Sequence, residues 1–106
     1  MQRVGFLMKV RKNKLEEYKK HHQTVWPEMI GALQRNGWGN YSLFATEDGH
    51  VFGYFEAEES FGHSLDGMSK EDANLKWQKF MAPYFENLTG RPDQSLVQLD
   101  QVFYLE

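Results

Sequence analysis

Tyr18, His22 and Trp26 recur at four-residue steps in Tyr18-Lys-Lys-His-His22-Gln-Thr-Val-Trp26-Pro27-Glu28. At 3.6 residues per turn, that spacing predicts a phenol, an imidazole and an indole along one helical stripe. An imidazole titrates near neutrality, so His22 is a candidate acid or base. The plainer reading is a histidine on a helix surface, as for His21 beside it. Tyr18 and Tyr41 each present a hydroxyl from an apolar ring, and core packing explains either about as well. Trp77 and Gln78 stand together on a second helical stretch, with Met81 four residues beyond Trp77. An indole stacks on the C–H face of a sugar, and a glutamine amide both donates and accepts hydrogen bonds to hydroxyls. A helix-to-sheet contact is the alternative there, and the preferred one for Phe80 and Met81. His50 follows a turn and His63 lies in a polar stretch; both read as solvated.

Other chemistries find little support. The chain has no cysteine, which removes disulfides, thiolate catalysis and Cys-ligated metals. No two histidines stand at i,i+4 and the carboxylates lack ligand spacing, so no metal is expected. There is no G-x-S-x-G context and no Gly-rich phosphate loop. The net charge of −3 disfavours a nucleic-acid partner, and the bases between Lys9 and Lys20 are interleaved with Glu16 and Glu17. No apolar run reaches membrane-spanning length and no signal-peptide pattern opens the chain, so a cytoplasmic protein without a membrane partner is expected.

The elements that must position these residues fit one domain over residues 1–106. Val4 to Val10 reads as a strand. Asn13-Lys-Leu-Glu16 resembles a capping box, with Asn13 as N-cap. A long helix follows to about Arg35, with a kink or break near Gln23 to Trp26 because Pro27 lacks a backbone donor. Asn36-Gly37 ends it. Trp38 to Thr46 and His50 to Ala57 read as strands joined at Asp48-Gly49. Glu58 to Met68 is a short helix or turn. Ser69 to Asp72 is a candidate cap for a helix reaching about Phe85. Asn87 to Gln94 is a loop, and Ser95 to Leu105 a last strand.

The order β-α-β-β-α-β predicts an α+β, ferredoxin-like fold: a four-stranded antiparallel sheet with helices on one face. Several strands are apolar on both faces, as with Val51 and Phe55 against Phe52 and Tyr54. Two helices cover only one face, so a second copy packed sheet to sheet is expected: a homodimer.

Phe6-Leu-Met8, Glu17-Tyr18, His22, Val25-Trp26-Pro27-Glu28, Asn40-Tyr41-Ser42, Phe55-Glu56, Trp77 with Met81, and Val102-Phe103-Tyr104-Leu105 together resemble the L-rhamnose mutarotase family. The match runs nearly end to end, and Tyr18-x3-His22-x3-Trp26-Pro27-Glu28 is its most specific element. The resemblance implies a small cytoplasmic dimer, a dimeric α+β barrel, that interconverts the α and β anomers of L-rhamnose without a cofactor. It makes His22 the proton donor and Tyr18, Tyr41 and Trp77 sugar contacts. Gln78 stands where some members carry a second Trp, and is carried as a substrate-binding position with an altered sugar preference. Two other classes stay open on the residues alone: a cofactor-free oxygenase on the same barrel, and a non-catalytic ligand-binding module.

Overall fold

The structure, a computed structural model, describes residues 1–86, 88 and 90–106. Its regular elements are β1 (Gln2–Lys9), α1 (Leu15–His22), α2 (Pro27–Arg35), β2 (Trp38–Ala45), β3 (His50–Ala57), α3 (Phe61–Met68), α4 (Asp72–Met81) and β4 (Val97–Leu99). Short 3-10 turns lie at Lys12–Lys14, Ala82–Tyr84 and Pro92–Gln94. The four strands form one antiparallel sheet in the order β2-β3-β1-β4. That is the ferredoxin-like order the sequence predicts.

The expected long helix is two helices. Pro27 occupies the first turn of α2, with Trp26 as its N-cap. A proline is at home there, because the first-turn N–H has no partner within the helix. Asn36-Gly37 ends α2 as expected; Gly37 has φ +76°, and a Cβ there would press on Glu58.

Two expected caps do not form. Asn13 lies inside the 3-10 turn, and α1 starts at Leu15 without a side-chain cap. Ser69 follows α3 and donates its hydroxyl to the Asp66 carbonyl, so α4 begins uncapped after Glu71. Ser60 does cap α3: its hydroxyl accepts from the His63 amide.

The last strand is shorter than the alternation predicts. Only Val97–Leu99 pair with β1, and residues 100–106 form no regular element. Val102 is 94% exposed and Phe103 77%. Apolar periodicity marks faces that need cover; it does not say which chain supplies it. The tail stays tied to the sheet through Tyr104, with the Arg3 guanidinium 3.8 Å over its ring.

The core lies between the sheet and the helices. Val51, Gly53, Phe55 and Ala57 of β3 point inward, opposite Phe6 and Val4 of β1. Gly53 sits across from Phe6, whose ring fills the space where a Cβ would be. This close approach sinks Phe6 completely and makes its ring part of the cavity wall described next.

Candidate active site

A cavity of about 100 Å³ opens between the sheet and the helices. At about 10–15 Å³ per water, it holds roughly seven to ten water-sized groups. That matches a monosaccharide better than a nucleotide. Tyr18, His22, Tyr41, Trp77 and Gln78 all line it, so every site residue picked from the sequence reaches one space.

His22 ends α1, one turn after Tyr18, and the two rings lie 4.2 Å apart. Its Nδ1 is 2.8 Å from the Tyr18 carbonyl oxygen. A carbonyl only accepts, so this contact fixes the proton on Nδ1 and leaves Nε2 as the working atom. Trp77 meets the imidazole edge-on at 5.5 Å. Burial is the largest effect on His22 and holds its pKa below the usual 6.5; the Tyr18 carbonyl opposes this, and His21 adds to it. At neutral pH most molecules therefore carry a lone pair on Nε2 and a minority a proton.

Tyr18 is buried, and burial pushes its phenol well above the ordinary tyrosine range. Tyr41 is 37% exposed as a whole residue. Its hydroxyl end is nonetheless desolvated, and its pKa is raised by burial first and then by the nearby Tyr18 phenol. Both phenols stay protonated near neutrality and present O–H groups to the cavity.

Tyr41 reaches the cavity through a bulge. Gly39 pairs with Glu56 and Ser42 with Tyr54, so Asn40 and Tyr41 together face the single residue Phe55. Asn40 takes φ +46°, and its amide donates to Glu56 at 2.8 Å. The Tyr54 hydroxyl donates to the other Glu56 oxygen at 2.9 Å. These two donors hold the Glu56 carboxyl below the usual range. With one extra residue in the strand, Trp38 and Tyr41, three apart, turn to the same face. Strict alternation from Trp38 would send Tyr41 outward.

Trp26, third in the stripe, does not line the cavity. It packs edge-on against Trp77 at 4.9 Å and against Phe80, bracing the wall from behind. His21 turns away to the Tyr84 hydroxyl, 3.0 Å from its Nε2. His50 and His63 pair with Asp48 and Glu59 on the surface. Among the described residues, no group of three or more His, Asp or Glu is placed to hold a metal.

Sequence reasoning missed the polar end of the cavity. Asn74 and Asp93 line it, and Gln78 joins them. Gln78 Nε2 donates to Asn74 Oδ1 at 2.9 Å, and Gln78 Oε1 accepts from the Asp93 amide at 3.2 Å. Asp93 sits in the Gly/Pro-bearing loop, where one carboxylate looks like ordinary solvated charge. Its only sequence hint is the preceding Arg91-Pro92.

Fold and site define a ferredoxin-like α+β protein with a partly open, aromatic-lined pocket of monosaccharide size that holds one histidine. Comparison with known proteins narrows the class. The family model for L-rhamnose mutarotase matches residues 3–105. The L-rhamnose mutarotases of Oceanobacillus iheyensis and Bacillus subtilis are each 37% identical, over the full length of both chains. The crystal structure of an L-rhamnose mutarotase from Formosa agariphila superposes with a TM-score of 0.81 at 29% identity, covering both chains completely. The chain belongs to the L-rhamnose mutarotase family.

Proposed function

We propose that this chain is an L-rhamnose mutarotase, an isomerase that interconverts the α and β anomers by opening and reclosing the sugar ring. The observation that carries the reading is the pinned imidazole: His22 Nδ1 is tied to the Tyr18 carbonyl, in a pocket with two phenols and two indoles. Opening requires a proton on the ring oxygen and loss of one from the anomeric hydroxyl. The C1–O5 bond then breaks, leaving an aldehyde at C1 and a hydroxyl at C5. Rotation about C1–C2 and the reverse steps give the other anomer. His22 Nε2–H delivers the proton to the ring oxygen as general acid and water takes the proton leaving the anomeric hydroxyl, while Tyr18 and Tyr41 donate hydrogen bonds to the sugar. Trp77 supplies an apolar wall for the ring and its methyl group. The chemistry calls for no cofactor, because no electron or group leaves the sugar.

Saturation-transfer NMR on equilibrated L-rhamnose tests the reading. Anomeric exchange must be faster with the protein than with buffer; equal rates refute it. His22→Ala should lower the enzymatic rate about 10²- to 10⁴-fold, and a variant with full activity removes His22 from the mechanism. The methyl group discriminates by only ~1–3 kcal/mol, so related aldoses should exchange more slowly rather than not at all.

The reading includes a homodimer and a cytoplasmic location. The exposed apolar face of the sheet, with Phe44, Phe52 and Val97, supports the first. Resemblance to the family supports both. Cell fractionation that recovers the protein outside the cytoplasm would refute the location.

A further inference from the structure

We infer that Asp93 is a sugar-binding residue, its carboxylate accepting hydrogen bonds from a pair of ring hydroxyls at the end of the cavity. The inference rests on the mutarotase reading and adds a recognition group to it. Asp93 comes from the loop after α4, with its side chain 13% exposed, and it lines the same cavity as His22. Three contacts fix it. Arg91 Nε donates to Oδ1 at 3.0 Å, Asn74 Nδ2 donates to Oδ2 at 3.0 Å, and the Asp93 backbone amide donates to Gln78. Asn74 is fully buried, and a second hydrogen bond, to the Met68 carbonyl, locks its amide. The carboxylate cannot swing away without breaking this set.

Among the described residues each Asp93 oxygen thus receives one protein donor, and a carboxylate oxygen has room for another. The two open acceptor positions are one carboxyl group apart, the spacing of adjacent hydroxyls on a pyranose. They complement the rest of the site, where Tyr18 and Tyr41 offer O–H donors and Trp77 a flat wall. A site that lacked an acceptor would leave sugar O–H groups buried and unpaired, which is costly. Gln78 takes on a different task from the indole some relatives carry: its amide clips the Asp93 loop to α4 through Asn74.

The experiment compares wild type and Asp93→Asn on L-rhamnose and on its three monodeoxy analogues, lacking the C2, C3 or C4 hydroxyl. Absence of anomer exchange by the wild type on L-rhamnose would defeat the mutarotase reading itself. Given exchange, Asp93→Asn should raise KM for L-rhamnose about 10-fold or more, the loss expected for a charge-assisted hydrogen bond. The wild type should discriminate against the analogues missing the contacted hydroxyls, and the variant should lose that discrimination. An unchanged KM overturns the assignment. So does an equal weakening of L-rhamnose and all three analogues, the pattern of a loop anchor that never touches sugar. If the variant does not fold, the Asp93 side-chain carboxyl ¹³C resonance of the wild type decides. A shift on adding L-rhamnose supports the contact, and an unmoved resonance excludes it.

Discussion

The imidazole of His22 is set by one hydrogen bond and one burial effect, and together they make the pH profile diagnostic. The Tyr18 carbonyl fixes the proton at Nδ1, so Nε2 is an acid only in the imidazolium. Burial holds that imidazolium's pKa below 6.5. A general acid must be protonated to act, so kcat/KM for anomer exchange should fall as pH rises through that lowered pKa and level off below it. The phenols of Tyr18 and Tyr41 are raised away from this window and add no limb of their own. Exchange measured between pH 5 and 8, corrected for buffer catalysis, checks the sign. A rate that instead rises with pH through the same window makes the neutral Nε2 a general base. That Tyr18 and His22 line one wall was legible in the sequence, because helical spacing alone puts them on one face. Which nitrogen works was not, since that depends on a carbonyl every helix residue possesses. Asp93 was also hidden: nothing local separates a carboxylate locked by Arg91 and Asn74 from one in solvent.

At the level of elements, strand and helix order was readable from apolar periodicity and from Asp48-Gly49, Pro27 and Gly37. The bulge in β2 was not. Asn40 is one polar residue among several, and only its pairing to Glu56 shows that it takes a left-handed backbone. This one residue decides whether the Tyr41 phenol faces the cavity or solvent. A β-branched side chain is poorly tolerated at φ +46°, at a cost of about 1–2 kcal/mol. Asn40→Val should therefore lower stability by about that much in urea titration, and lower exchange activity further through a misplaced Tyr41. Asn40→Gly accepts the same backbone and should keep most of both. Equal behaviour of the two variants would show that the bulge is not held by the Asn40 conformation. Tyr41→Phe separates the hydroxyl from the bulge: it should weaken sugar use by about 3- to 10-fold, a neutral hydrogen bond's worth, with stability nearly unchanged.

The whole molecule leaves one face of its sheet to water, and that face is unlike an ordinary surface. Phe44 is 62% exposed, Phe52 39% and Val97 59%, and the Phe44 and Phe52 rings neighbour each other at 6.4 Å. Val102, Phe103 and Leu105 of the tail add three more exposed apolar side chains. Scattered apolar residues need no partner, but a contiguous set on a pleated face does. A second copy docked sheet to sheet would cover the aromatic pair, the self-complementary contact a two-fold dimer requires. It would also give the apolar tail, read from the sequence as part of the last strand, a surface to cover. Sedimentation equilibrium should find a dimer at micromolar concentration. Phe44→Asp would place a charge on that face, and loss of an interface aromatic costs about 2 kcal/mol or more. The dimer dissociation constant should then rise at least about 30-fold. The site itself lies on the other, helix-covered face. Phe44→Asp measured well below its dissociation constant therefore asks whether a monomer still exchanges anomers. Retained activity would assign the dimer to stability alone, and lost activity would tie the cavity to the paired sheets.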